Sequence, residues 1–279
     1  MGFYGAVWDG RYIRVESLTN FDLTTHYQYE KGRFQIASSL DAFKETINDI
    51  QAHYEWVQDQ ADHAADTFQV GAPPTTTDQD LEKSFPYVTL FHIDGQDVSC
   101  TYGFCLKKDT TILFSVTSDS GNDYIVKYAR RYSAETHRLF ASHQLAPTLW
   151  QCQEIPGEWI VIIMDRSDYS LLSHLVLSKE EEAILQSKVT RALKTFHDQG
   201  YVHGDIRSTN ILVDRASLAC IDASDVKIHF VDFDFAGKIG EVKYPIGVHT
   251  KTVKRPDNVE AGVLITREHD EWMATHLFS

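Results

Sequence analysis

The chain has 279 residues, 43% of them hydrophobic, enough for one large domain or two lobes around a real core. Its 40 acidic and 26 basic residues give a formal charge of −14, which argues against a nucleic-acid or anionic-membrane surface as the main partner. Cys100, Cys105, Cys152 and Cys220 are scattered without a C-x-x-C pair, the usage of reduced thiols rather than a zinc site.

The first residues lack a basic start before an apolar run, so no secretory leader is expected. Ala6 stands where a myristoylation signal wants Ser or Thr. No apolar run reaches the length of a membrane span. The expected setting is the cytoplasm, with the nucleus as the other option.

Residues 1–38 show no clear period. Phe43, Ile47, Ile50, Tyr54 and Val57 then recur at steps of four and three, which predicts a helix over about residues 40–65 with one apolar stripe. That stripe either packs on the next lobe or, as Phe43–Val57, receives a partner helix. Gly71-Ala72-Pro73-Pro74 and Thr75-Thr76-Thr77 form a breaker-rich linker within 71–80, so residues 1–85 read as an N-terminal extension.

From Tyr87 to Tyr128 the sequence reads as strands: Y-V-T-L-F-H-I, T-I-L-F-S-V-T, a turn at Ser118–Asn122, then Y-I-V-K-Y. In the last of these Ile125 and Lys127 share a face. Ser133 caps the helix that follows, with Glu135 in its first turn, where an acid also favours the helix dipole. Trp150–Glu154, a Pro156-Gly157 turn and Trp159–Met164 read as a hairpin, and Tyr169–Leu177 as a short helix. Ser178 and Glu181 then form a capping box, Leu185, Val189, Ala192, Leu193 and Phe196 a buried stripe, and Gly200 a stop.

That long helix delivers Y-V-H-G-D-I-R-S-T-N-I-L-V (Tyr201–Val213), and V-K-I-H-F-V-D-F-D-F-A-G (Val226–Gly237) follows. Asp205 and Asp232 each end a short apolar run, and Asn210 sits five residues after the first. Phosphoryl transfer needs such a set: one carboxylate to align an acceptor hydroxyl, and a second carboxylate with an amide to hold Mg²⁺ on the phosphates of ATP. His203 reads as structural.

H-x-D-x-x-x-x-N followed by D-F-x resembles the catalytic and metal loops of the protein-kinase-like superfamily. V-K-Y-A-R-R-Y-S-A-E-T-H, L-A-P, H-G-D-I-R-S-T-N and above all D-F-D-F-A-G-K-I-G-E-V-K-Y-P resemble the fungal protein-kinase-like family, with Arg255-Pro256 and His269-Asp270 as its later elements. The likeness covers roughly residues 86–279. It implies an α+β, bilobal kinase-like fold, with a β-rich small lobe at 86–165 and a shortened helical large lobe at 166–279. It also implies ATP and Mg²⁺ as cofactors and a hydroxyl-bearing acceptor, a protein Ser/Thr or a small molecule.

By the same resemblance Asp205 and Arg207 act on the reacting groups, and Asn210, Asp232 and Asp234 face the metal. Lys127 reaches the α/β-phosphates and pairs with Glu135, Ile125 covers the adenine, and Met164 and Asp165 open a hinge at its edge. Phe233 packs between the lobes, and Asp270 bonds the backbone of the catalytic loop.

Several positions depart from that pattern. No G-x-G-x-x-G precedes Lys127, Gly204 replaces the usual Arg, Asp234 replaces the Gly of D-F-G, and no A-P-E follows. H-G-D with D-F-D is also similar to choline and aminoglycoside kinases, which favours a small-molecule acceptor. The 47 residues after Asp232 are few for a full protein-docking platform. The missing glycine loop favours a silent scaffold.

Overall fold

Alternating apolar residues along residues 90–165 fold as an antiparallel sheet of six strands. In this computed structural model they are β3 (Leu90–Ile93), β4 (Gln96–Lys108), β5 (Ile112–Ser118), β6 (Asp123–Ala129), β7 (Leu149–Ile155) and β8 (Trp159–Asp165), in the order β3-β4-β5-β6-β8-β7. The residues described are 2–8, 13–20, scattered helical positions between 41 and 55, 87–108, 112–155, 158–219, 223–250 and 253–278. The chain divides into two units, Met1–Asp62 and His63–Ser279.

In the first unit, β1 (Gly2–Trp8) and β2 (Ile13–Asn20) form a hairpin, where the sequence offered no period. Helical residues occur at intervals from Asp41 to Glu55. Ile47, the one described member of the expected stripe, is 46% exposed, while Phe43, Ile50, Tyr54 and Val57 lie outside the described residues. The linker at 71–80 lies outside them as well.

The second unit carries the expected α+β, two-lobe architecture. β6 separates two environments by its period of two. Tyr124, Val126 and Tyr128 face an aromatic core with Tyr87, Tyr102 and Phe114, where the hydroxyls of Tyr102 and Tyr128 lie 2.6 Å apart. Ile125 and Ala129 face a smaller apolar cluster with Leu149, Ile162 and Met164. β4 is the strand the sequence reading misses. Its outward residues, among them Phe104 and Leu106, are exposed, and register shifts at Tyr102–Cys105 and Cys105–Lys107 break its alternation.

α1 (Ala134–Ser142) follows, capped by Ser133. In the large lobe the expected helix at Tyr169–Leu177 is instead β9 (Ser170–Leu171) and a 3₁₀ turn at Leu172–His174. Pairing of Leu171 with Leu212 on β11 (Ile211–Val213) overrides the local preference. α2 (Lys179–His197) begins at the capping box of Ser178 and Glu181 and buries Leu185, Val189, Ala192, Leu193 and Phe196. Burying each of the leucine, valine and phenylalanine side chains among these contributes about 1.5–3 kcal/mol. Gly200 then takes a left-handed φ of +87° and turns the chain into β10 (Tyr201–Val202). β12 (Ile228–Phe230) pairs with β11, β13 (Gly237–Lys238) pairs with β10, and α3 (Arg267–Thr275) lies against α2 and β10.

Candidate active site

The end of α2 and β10 bring His203, Gly204 and Asp205 into a buried loop held from three directions. From α3, the fully buried Asp270 accepts from the His203 N–H at 2.8 Å, the Gly204 N–H at 2.7 Å and His197 Nε2 at 3.1 Å. A buried carboxylate survives when donors satisfy it, and these three do. His203 accepts the Asp205 N–H on Nδ1 at 3.3 Å and donates from Nε2 to the Val231 carbonyl at 3.2 Å. Burial holds its imidazole pKa below the ordinary value, so the neutral ring ties the Asp205 loop to the Asp232 loop.

Gly204 sits at φ +79°, and a Cβ there would lie 2.9 Å from the Phe235 carbonyl oxygen. This gives a physical reason for glycine at this position.

Asp205, only 5% exposed, has both carboxylate oxygens engaged. Arg255 Nη2 donates to Oδ1 at 2.5 Å, and Asn210 Nδ2 donates to Oδ2 at 2.7 Å. Arg207 Nε lies 3.0 Å from Oδ2 without the alignment of a hydrogen bond. The buried Arg255 also donates to the Gly204 carbonyl at 3.0 Å and packs its guanidinium over Phe235 and Tyr244. The sequence showed Arg255 only as half of an Arg-Pro pair. Fifty residues separate it from Asp205, so no local signal could have joined them.

The Asp232 loop adjoins this one through the Val231 N–H, which donates to the Asn210 carbonyl at 3.0 Å. Asp232 itself takes a left-handed φ of +71°, a backbone state uncommon for a residue with a Cβ and concentrated at functional sites. Its Oδ1 accepts from Lys127 Nζ at 2.6 Å, and Asp234 Oδ1 closes on the same ammonium. Burial alone would lower the Lys127 pKa; the charges of Asp232 and Asp234 more than offset it and hold the ammonium above the ordinary lysine value.

The expected Lys127–Glu135 pair does not form. Among the described residues Lys127 meets Asp232 and Asp234, while Glu135 accepts from the Tyr201 hydroxyl at 2.5 Å and sits 3.3 Å from Lys238 Nζ. α1 turns Thr136, His137 and Phe140 inward, so Glu135 in the first turn faces outward. The inward positions belong to His137, which stacks on buried Phe233 at 4.5 Å and 10°, and to Phe140, which stacks on Phe196 at 3.5 Å; together they carry the contact between α1 and the large lobe.

Ile125 and Met164 do share one apolar cluster beside Lys127. Asp165 is less available than expected at the hinge: its N–H donates to the Thr148 carbonyl at 3.0 Å, and its carboxylate accepts from Trp150 Nε1 at 2.6 Å. An adenine edge therefore cannot use that amide without displacing Thr148.

Asn210, Asp232 and Asp234 fit a hard divalent cation. Asp232 and Asp234 already converge on one cationic group, and Asn210 turns its Nδ2 to Asp205, while its amide oxygen accepts one long hydrogen bond, from the Thr209 hydroxyl at 3.4 Å, and keeps a second lone pair. Among the described residues no three His, Cys, Asp or Glu side chains form a metal cage on their own. Mg²⁺ matches that economy, because it binds through one or two carboxylates and takes its remaining ligands from phosphates and water.

The chain is similar to several proteins named as kinases. No family model matches it. Over 88 residues, 32% of the chain, it is 27% identical to B1 kinase of vaccinia virus in the Ankara, Western Reserve and Copenhagen strains. The chain spans about a quarter of the length of those relatives, 26%. Among solved structures it is similar to the Cydia pomonella granulovirus kinase PK-1, at a TM-score of 0.48, 15% identity, and coverage of 63% of this chain and 64% of that one. It is also similar to vaccinia related kinase 3, at a TM-score of 0.44, 18% identity, and coverage of 70% and 69%. Similarity at this level leaves the chemistry to the side chains described above. Among the described residues no helix is long and apolar enough to cross a membrane.

Proposed function

We propose that the chain is an ATP-dependent phosphotransferase of the protein-kinase-like superfamily, acting on a Ser or Thr hydroxyl of a protein. The observation that carries this is the joining of the two loops. Asp205 and Asn210 bond each other, and the Val231 N–H hands that loop to Asp232, which with Asp234 encloses the Lys127 ammonium.

In this reading Asp205 accepts the hydrogen bond of the attacking hydroxyl. Its carboxylate offers about four lone-pair sites, more than Arg255 and Asn210 consume, and Arg255 fixes its direction. Asn210, Asp232 and Asp234 would hold Mg²⁺, which supplies charge neutralisation on the phosphates when bound. Lys127 would leave the carboxylates for the α/β-phosphates, and Ile125 and Met164 would floor the adenine. Arg207 would meet negative charge as it develops on the transferring group. The D-F-D-F-A-G-K run favours the fungal branch of the superfamily.

H-G-D with an acid at Asp234 favours a second reading, a kinase of small amino-alcohol or sugar hydroxyls. A third, a silent scaffold, is favoured by the missing glycine loop and by a lysine already sealed between two carboxylates. Labelled phosphate transfer from ATP to a protein panel and to an amino-alcohol and sugar panel separates the three. Asp205→Asn should abolish transfer while keeping nucleotide binding; wild-type turnover in that variant would refute the assignment of Asp205.

A further inference from the structure

A cavity of about 280 Å³ opens beside the Asp205 loop. Its wall includes Arg207, Ser208 and Thr209 from that loop, Lys254 from the segment that carries Arg255, and His276 at the end of α3. Ile206, Val253, Met273 and Leu277 supply its apolar floor. Two facts set this cavity apart. In a chain of net charge −14, its described lining holds two cationic side chains and an imidazole and no carboxylate. Moreover, among the described residues the Arg207 guanidinium makes one ion pair, to Asp205, and no hydrogen bond, so its planar fork of donors is unspent.

We infer that this cavity is the acceptor subsite and that it selects a hydroxyl flanked by negatively charged residues, that is, an acidic Ser- or Thr-bearing peptide segment. The purpose of the site rests on the phosphotransferase reading; its charge preference does not. Arg207 touches both the Asp205 carboxylate and the cavity, so an acid seated there places a neighbouring hydroxyl beside Asp205. Lys254 and the Ser208 hydroxyl supply further donors to a carboxylate or phosphate. His276 is held flat on Trp272, with ring centroids 3.8 Å apart, and keeps one rim of the cavity in place. Complementary charge of this kind raises encounter rates and rejects cationic segments by repulsion.

Fluorescence anisotropy on the full chain tests this, with three labelled peptides of equal length and a central Ser flanked by Glu, by Lys or by Ala. The Glu-flanked peptide should bind roughly tenfold tighter than the Lys-flanked one, with the advantage shrinking as salt rises. Lys254→Glu should erase the preference, and Lys254→Gln should reduce it. Equal binding of the three peptides, or a preference that Lys254→Glu leaves intact, would overturn the inference. A thermal shift with ATP and Mg²⁺ on the same samples keeps the two ideas apart. A shift without an acidic preference removes the subsite alone, and an acidic preference without a shift removes the phosphotransferase and leaves an acidic-peptide binding site.

Discussion

Arg255 and Asp205 form a buried ion pair at 2.5 Å, with the side chain of each less than a tenth exposed. Removing one partner of such a pair leaves an uncompensated buried charge, at a cost of about 3–5 kcal/mol. Arg255→Met should therefore lower the unfolding free energy read from urea titration by that order, with a matching fall in the midpoint. Arg255→Lys should rescue little, because a lysine lacks the planar fork whose Nη1 and Nη2 reach the Gly204 carbonyl and Asp205 separately. A midpoint unchanged in Arg255→Met would show that the pair carries no stability.

Gly204 tests why the usual arginine is missing. Gly204→Ala forces a Cβ against the Phe235 carbonyl at a left-handed φ, so it should destabilise by about 1–3 kcal/mol, and Gly204→Arg by at least as much. Differential scanning calorimetry reads both. Wild-type stability in either variant would mean that the loop relaxes freely.

Lys127 and Glu135 should behave as strangers. Lys127→Met leaves Asp232 and Asp234 facing each other without their shared cation, and it should weaken ATP affinity tenfold or more, about 1.4 kcal/mol. Glu135→Gln should leave ATP affinity unchanged, because its partners are Tyr201 and Lys238. Equal losses in the two variants, measured by nucleotide titration, would restore the pairing that the sequence suggested.

Acid should loosen the contact between α1 and the large lobe. Burial pulls the His137 pKa down to about 4, and the ring is neutral while its Nε2 donates to the Pro147 carbonyl and its Nδ1 accepts from Tyr132. The folded pKa lies below the ordinary 6.5, so the unfolded chain binds more protons between those values. Stability present above pH 6.5 is lost as pH falls toward 4, by roughly 3 kcal/mol in full. His203, shifted down by its own burial, adds in the same direction. Urea midpoints against pH should fall less steeply in His137→Gln than in the wild type; parallel slopes would contradict this.

Local chemistry made much of this molecule legible in sequence. Ser178, Glu181 and the stripe from Leu185 to Phe196 announce α2 because caps and helical period act within a few residues. The alternation through Ile125 and Lys127 gives β6 for the same reason. What stayed hidden depends on distant partners. β9 exists because β11 offers it an edge, β4 hides behind its register shifts, and Arg255 meets Asp205 only after the whole lobe has folded. Glu135 was misread because eight residues fix a separation in sequence but not the face of α1 that turns inward.

Titration calorimetry with ATP, in the presence and absence of magnesium, tests the central claim most directly. The wild-type chain should give a saturable heat that requires both, and Asp232→Asn should lose it while keeping its fold by circular dichroism. The absence of heat from the wild-type chain with nucleotide and magnesium together would contradict the assignment of Asn210, Asp232 and Asp234 to a metal–phosphate site.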